Sequence, residues 1–227
     1  DGQKISATPL SVDGTMKIIL EKNDKDIWAI VAPKSVVKNT KVPGIQGPID
    51  DAFTNGFLCV TGSGTPWNEL VHKASIEELE RFEKDWELFF RAELPIKKDS
   101  MVTTKDLETK NLILFGDGGS NALIAKVLPG APIQWNKSSI VIKTKTYTSA
   151  ENMPAFIFPS PYSSKNYVVI NSGHTFRTED LKATNALLFP RWGDYAILKI
   201  SPGMPSKNEL QISGIFDEFW ALTEQPK

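Results

Sequence analysis

Short apolar runs separated by polar turns dominate the first sixty residues. Residues 16–20 and 27–31 are mostly apolar, and the polar stretch 21–25 lies between them. Two such runs on either side of a polar turn predict a β-hairpin. A connector rich in proline and glycine, residues 42–49, then leads to a third predicted strand at 56–60. We therefore expect residues 1–40 to form a hairpin segment appended to a larger fold.

One segment has the spacing of an amphipathic helix. From Ser75 to Ala92, large apolar residues recur at intervals of three and four, at Ile76, Leu79, Phe82, Trp86, Phe89 and Phe90. This period places them on one helical face, which we assign to the core, while charged residues fill the opposite, solvated face. Ser75 and Glu78 have the spacing of a capping box, which predicts the start of the helix at Ser75.

The middle of the chain predicts a strand, a turn and a helix in succession. Residues 111–115 are a continuous apolar run, typical of a strand that is buried on both faces in a parallel sheet covered by helices. A short helix is expected near residues 104–107 before it, and the glycine-rich turn 116–121 leads into a helix at 122–127. Further strands are predicted at residues 140–142, 155–158, 167–170, 195–200 and 210–220, the last with a short amphipathic tail.

These elements predict one α/β domain over residues 1–227. We expect a mostly parallel sheet flanked by helices, Rossmann-like or flavodoxin-like, with the N-terminal β-hairpin appended. The length of 227 residues is near the upper limit for one hydrophobic core.

Charge and hydropathy limit the classes of partner. Lys and Arg number 26 against 27 Asp and Glu, a net charge of −1, so no overall field attracts nucleic acid or an acidic membrane surface. We therefore expect no nucleic-acid partner. No apolar run approaches the roughly 20 residues that cross a bilayer, so no transmembrane segment is expected. The one cysteine, Cys59, lies in a predicted strand and is interpreted as a small buried apolar residue.

The residues that could perform catalysis or hold a metal are few. A serine hydrolase with an α/β sheet carries its nucleophile in Gly-x-Ser-x-Gly, and this pentapeptide is absent from the sequence. The nearest imitations are Gly62-Ser63-Gly64, which has the wrong spacing and precedes Thr65-Pro66, and Gly118-Gly119-Ser120, which opens a predicted helix. Only two histidines, His72 and His174, are present, so we expect no metal site and no cofactor. An oxygen-ligand cation site that uses Asp50, Asp51 or Asp117 is left open.

Two glycine-containing turns follow apolar strands, and we expect them at one sheet edge. The first glycine turn is residues 116–121, and the second is residues 171–177. Carboxyl ends of parallel strands share an edge, where open α/β sheets place their clefts. The candidate ligand-binding residues are therefore Asp117, Gly118, Gly119, Ser120, Asn121, Ser172, His174 and Arg177, together with Asp50 and Asp51.

Each turn also has a purely structural interpretation. The first could cradle an anion on its backbone N–H groups, or it could be a tight turn in which Ser120 or Asp117 caps the next helix. In the second, Asn171 and Ser172 could satisfy backbone groups while His174 and Arg177 pair with Asp50 or Asp51.

Four segments together carry a family resemblance. They are Gly-Pro-Ile-Asp-Asp-Ala-Phe at 47–53, Phe-Phe-Arg-Ala-Glu at 89–93, Asn-Leu-Ile-Leu-Phe-Gly-Asp-Gly-Gly-Ser-Asn at 111–121 and Asn-Ser-Gly-His-Thr-Phe-Arg at 171–177. Over roughly residues 8 to 200 the chain resembles a module of bacterial prolyl-oligopeptidase-like proteins that follows an α/β-hydrolase peptidase domain. The resemblance implies an exported bacterial setting and a serine elbow in the preceding domain. It supplies no catalytic residue for the module itself.

Three functions follow as hypotheses. The first is a non-catalytic accessory domain of a larger exported serine hydrolase, packing on or positioning substrate for a catalytic domain of the same polypeptide. The second is a module that binds a small ligand or a glycan through these loops, with exposed aromatics such as Trp67, Trp135 or Trp192, although most of these tryptophans are expected to be core or lid residues. The third is a stand-alone serine hydrolase that uses Ser120 and His174 with Asp117 or Asp51.

Overall fold

The computed structural model describes residues 2–6, 18–31, 40–176, 190–202 and 208–223. The chain divides into two compact units, Asp1–Thr40 and Lys41–Lys227.

The first unit contains the expected β-hairpin. Strands β1 (Ile19–Lys22) and β2 (Trp28–Val31) pair antiparallel, with Ile19 opposite Val31. The Asn23 side chain closes the turn, because its Oδ1 accepts hydrogen bonds from the backbone N–H groups of Lys25 and Ile27. Residues 16 and 17 of the first predicted strand lie outside the described residues.

The second unit contains ten further strands within the described residues. They are β3 (Phe57–Thr61), β4 (Ile96–Lys98), β5 (Asn111–Phe115), β6 (Gln134–Trp135), β7 (Ser139–Ile142), β8 (Lys145–Thr148), β9 (Asn152–Pro159), β10 (Tyr167–Ile170), β11 (Tyr195–Lys199) and β12 (Glu209–Gly214). Seven of them form one sheet in the order β12-β11-β9-β10-β5-β3-β4, and β6, β7 and β8 form a separate antiparallel sheet.

The predicted fold class is wrong, because the large sheet is mixed. Strands β10, β5, β3 and β4 run parallel to one another, but β9 is antiparallel to both β10 and β11, and β11 is antiparallel to β12. The sheet is therefore not a mostly parallel sheet flanked by helices. The continuous apolar sequence of β9 reports burial on both faces and carries no information about strand direction. Only residues 160–166 separate β9 from β10, too few for the crossover that parallel neighbours need.

Three α-helices lie between these strands in the described part of the second unit. They are α1 (Glu69–Asp85), α2 (Thr104–Thr109) and α3 (Ala122–Val127). The helices expected near 104–107 and at 122–127 are thus confirmed. The predicted start of α1 at Ser75 is wrong, because Asn68 caps the helix by accepting from the N–H groups of Leu70 and Val71.

Helix α1 ends in a change of helical type. After Asp85 it continues as a π-helical turn over Trp86–Phe90 and stops at Arg91, which has a left-handed backbone with φ of 53°. None of the helices in the described ranges is long and apolar enough to cross a membrane.

The core lies around the central strands of the large sheet, both parallel and antiparallel. Leu112, Ile113, Leu114 and Phe115 of β5 are completely buried, as are Val168, Val169 and Ile170 of β10. Helix α1 packs on this sheet against β5 and β9, and it contributes Val71, Leu79 and Phe82 to the core. Burial of such side chains stabilises the fold by about 1.5–3 kcal/mol each.

Candidate functional site

The two glycine turns meet at one edge of the sheet. Strands β5 and β10 are parallel neighbours, so their carboxyl ends lie side by side. The Asn171 side chain joins the turns: its Oδ1 accepts from the Gly116 N–H and its Nδ2 donates to the Gly116 carbonyl, both at 2.9 Å. Both residues have positive φ, 50° for Asn171 and 116° for Gly116. The two hydrogen bonds of the side-chain amide thus continue the pairing of β5 and β10 beyond the ends of these strands.

The first glycine turn uses its polar groups internally. Asp117 is 1% exposed, and its carboxylate accepts from the N–H groups of Gly119, Ser120 and Trp67 at 2.8–2.9 Å. The Ser120 hydroxyl accepts from the Asp117 N–H and donates to the Asp117 carbonyl. Because Gly119 and Ser120 donate to Asp117, their N–H groups do not point outward to an anion. This geometry favours the structural interpretation of the turn.

Asn121 fixes the start of helix α3. Its Oδ1 accepts from the N–H groups of Leu123 and Ile124, and its Nδ2 donates to the carbonyls of Val60 and Phe115. The residue is completely buried. Gly118 and Gly119 allow the chain to pass close to the Trp67 ring, since a Cβ atom on either would lie 2.6–2.7 Å from it. The whole first turn is therefore packed and hydrogen-bonded.

The second glycine turn is held by helix α1. Arg81 donates to the His174 carbonyl at 2.9 Å, and the Gly173 N–H donates to Glu78 at 3.2 Å. Arg81 also forms ion pairs with Glu78 at 2.6 Å and Asp85 at 2.8 Å. Ser172 is completely buried and donates to the Gly173 carbonyl. Arg177, predicted to belong to the site, lies outside the described residues.

His174 is buried between aromatic rings without satisfying its polar atoms. The residue is 3% exposed, and its ring contacts Phe82 edge to face at 5.2 Å and stacks with Phe176 at 5.8 Å. Neither ring nitrogen has a partner with hydrogen-bond geometry among the residues that the structure describes, although the main chain of Phe176 lies near enough to act on the pKa of His174 in the raising direction. Burial, followed by the nearby positive charge of Arg81, lowers the pKa of His174 to about 4, although Asp85 and Glu78 act in the opposite direction. The imidazole is therefore neutral at pH 7.

Asp50 and Asp51 bind other partners than those predicted. The Asp50 carboxylate accepts from the N–H of Thr175 at 2.7 Å and from its hydroxyl at 2.5 Å. Asp51 accepts from the Tyr167 hydroxyl at 2.5 Å. The predicted pairing of His174 with either carboxylate is not formed. Burial raises the pKa of Asp50, while its hydrogen bonds from Thr175 act against this. Burial, and then the hydrogen bond to Asp51, raises the pKa of Tyr167.

A pocket of about 350 Å³ opens beside this second turn. We call it the aromatic pocket, and its lining residues are Pro48, Asp50, Asp51, Phe53, Thr54, Trp86, Phe90, His174, Phe176 and Pro190. Three of the predicted site residues, Asp50, Asp51 and His174, thus line one cavity. The other described ones, Asp117 to Asn121 and Ser172, do not contribute to its lining.

Sequence reasoning missed the aromatic wall of this pocket. Trp86 and Phe90 were assigned to the core stripe of the helix. The π-helical turn changes their direction, so Trp86 is half-buried and Phe90 is 51% exposed, with the two rings stacked at 4.4 Å. An aromatic pair four residues apart at the end of a helix was the available signal. Trp135 and Trp192 are buried, as expected of core residues, and Trp67 packs edge to face on Trp135; none of the three lines this pocket.

The described residues do not form a serine triad. The Ser120 hydroxyl bonds only to the Asp117 main chain, and no nitrogen of His174 receives it. Nucleophilic activation requires a hydrogen bond of about 2.6–3.2 Å between the hydroxyl and its base. The same part of the chain holds no group of three or more His, Cys, Asp or Glu side chains able to bind a metal ion.

Comparisons with models of protein families, with curated proteins and with solved structures find no match to this chain. The resemblance to a module of prolyl-oligopeptidase-like proteins therefore stays a prediction.

Proposed function

We propose that this chain is a non-catalytic accessory domain that binds a small, mostly apolar ligand group in the aromatic pocket. One observation carries the proposal: the buried His174 ring lines the pocket while both of its nitrogens lack a hydrogen-bond partner among the described residues. A buried polar group without a partner costs about 1–3 kcal/mol. A ligand that hydrogen-bonds to the imidazole would recover part of that free energy on binding.

The composition of the pocket supports this function. Its volume of about 350 Å³ falls within the usual range of small-molecule sites, roughly 300–1,000 Å³. Four aromatic rings and two prolines supply apolar contact area, and a few polar groups supply orientation. The Phe82 ring contacts both Phe53 and Trp86, and so supports the pocket wall from behind.

The accessory role is supported by the chemistry of the second unit. In its described residues the hydroxyl of Ser120 is occupied by the backbone and the imidazole of His174 is not joined to a nucleophile. A catalytic hydrolase domain elsewhere in the same polypeptide, as the resemblance implies, would perform the reaction. On this proposal the pocket holds part of the substrate for that domain, in an exported bacterial protein.

A matched pair of aromatic variants tests the binding function. Phe90 and Phe219 are both 51% exposed, but only Phe90 lines the pocket. A library of small aromatic and aliphatic compounds would be screened against the chain by ligand-observed NMR. We expect hits whose affinity falls at least tenfold in Phe90→Ala and is unchanged in Phe219→Ala. If the affinities of the hits are unchanged in both variants, or if no compound binds at millimolar concentration, the proposal is overturned.

The accessory role requires that the isolated chain has no hydrolytic turnover. We expect no activity on peptide and ester substrates above that of buffer. Turnover that disappears in Ser120→Ala or His174→Ala, with the folding of each variant checked by circular dichroism, would show instead that the chain is a hydrolase.

A further inference from the structure

The aromatic pocket carries negative charge at its rim. Asp50 and Asp51 line it, whereas no lysine or arginine of the described ranges does. Arg81, whose positive charge acts on His174, is already paired with two carboxylates, Glu78 and Asp85. These three side chains together contribute a charge of −1. Among the described residues that line the cavity, the formally charged side chains are therefore the two carboxylates, Asp50 and Asp51.

One carboxylate oxygen at the rim has no hydrogen-bond partner in the described part of the chain. Asp51 uses Oδ2 to accept from Tyr167, and its Oδ1 makes no hydrogen bond within the described residues. The residue is half-buried, so water screens its charge less than that of a fully exposed side chain. By contrast, both oxygens of Asp50 already accept from Thr175. Asp51 is therefore the better partner for a charged ligand.

The aromatic side chains that line the pocket, and His174 beside them, also suit a cation. The faces of aromatic rings attract cations, most strongly for tryptophan, and Trp86, Phe90, Phe53 and Phe176 all line the cavity. His174 adds a nitrogen that can accept a hydrogen bond in its neutral form. Because burial lowers the pKa of His174 to about 4, it carries no positive charge that would repel a cation at pH 7.

From the carboxylates, the aromatic wall and the unpartnered imidazole we infer that the ligand group is a small organic ammonium cation, with its N–H donors directed to Asp51 and His174. This inference rests on the proposed binding function of the pocket. It identifies the chemical class, an amine carried on an apolar or aromatic stem, as in a peptide amino terminus, a lysine side chain or a free amine.

Three probes of equal size separate charge from shape. Benzylammonium, benzyl alcohol and benzoate share a phenyl ring and carry charges of +1, 0 and −1. Their dissociation constants for the 227-residue chain would be measured by NMR titration at pH 7 and low salt. We expect benzylammonium to bind at least tenfold more tightly than benzyl alcohol, and benzoate to bind more weakly than either. Added salt should weaken only benzylammonium.

A conservative variant tests the role of Asp51. Asp51→Asn keeps an oxygen to accept from Tyr167 but removes the charge, and we expect it to weaken benzylammonium about tenfold while leaving benzyl alcohol unchanged. Glu108→Gln, on the exposed side of α2, is the control for net charge and should change neither constant. If a folded Asp51→Asn variant binds neither benzylammonium nor benzyl alcohol, the inference is overturned. The comparison of the three probes on the unmodified chain does not depend on this variant.

The outcomes separate this inference from the proposed function. If benzyl alcohol or benzoate binds as tightly as benzylammonium, and Phe90→Ala weakens it, the pocket binds ligands but the cation inference fails. If none of the three probes binds but other compounds of the library do, the cation inference fails and the proposed binding function stands. If neither the probes nor the library bind, both proposals fail together.

Discussion

Acidification should destabilise the fold through His174. In the unfolded chain this histidine has an ordinary pKa of 6.5, whereas in the folded chain burial, and then Arg81, lower its pKa to about 4. Between these two values the unfolded state binds more protons than the folded state, so the free energy of unfolding falls as the pH falls. The loss begins near pH 6.5 and is complete below pH 4.

The expected magnitude follows from the two pKa values. Linkage between 6.5 and about 4 gives a loss of about 2 kcal/mol at pH 5 and about 3 kcal/mol at pH 4, relative to pH 8. A loss of this size is a large part of the roughly 5–15 kcal/mol that stabilises an ordinary domain. Other groups titrate in the same range, so the effect must be measured as a difference between two proteins.

His174→Phe provides that difference. Phenylalanine keeps a ring between Phe82 and Phe176 but cannot bind a proton. Urea unfolding of both proteins would be measured at pH 8, 7, 6 and 5. Between pH 8 and pH 5, the free energy of unfolding of the wild type should fall by about 2 kcal/mol more than that of the variant. A His174→Gln variant should give the same difference, because it too removes the titrating group. Parallel pH profiles for wild type and both variants would refute the burial argument.

Three further predictions concern stability and reactivity. Asn121→Ala removes two helix-capping bonds and two bonds to strand carbonyls, so chemical denaturation should show a loss of about 2–4 kcal/mol; a loss below about 1 kcal/mol would contradict it. Lys41→Ala leaves the buried Asp194 without its cation and should cost about 3–5 kcal/mol, whereas Lys199→Ala, from an exposed pair, should cost less than about 1 kcal/mol in the same assay. Cys59 is completely buried and burial raises its pKa, so a thiol reagent at pH 8 should modify it only in denaturant, and rapid modification of the folded chain would contradict this.

Strand β5 and its surroundings could be predicted because their sequence signals are local. A continuous apolar run followed by glycines and a short helix specifies a buried strand and its turn, and the structure contains both at the expected residues. The direction of the other strands is set by the lengths of the connections and by long-range pairing. The short 160–166 connection was visible in the sequence, but the return of β11 alongside β9 was not.

Only part of the candidate site could be predicted from the sequence, for a related reason. Polar residues in glycine turns look similar whether they bind a ligand or hold the turn together. Asp117 and Ser120 turn out to serve the turn, while His174 lies at a cavity. The pocket wall depends on a change of helical period after Asp85, which no apolar pattern of period 3.6 anticipates.

Helix α1 supports two sides of the aromatic pocket at once. Arg81 holds the main chain at His174, and one turn later the same helix places Trp86 against the cavity. A shift or rotation of α1 together with its π-helical turn would therefore move His174 and Trp86 together. A partner that docks on the outer surface of α1 and displaces the helix would therefore change the shape of the cavity.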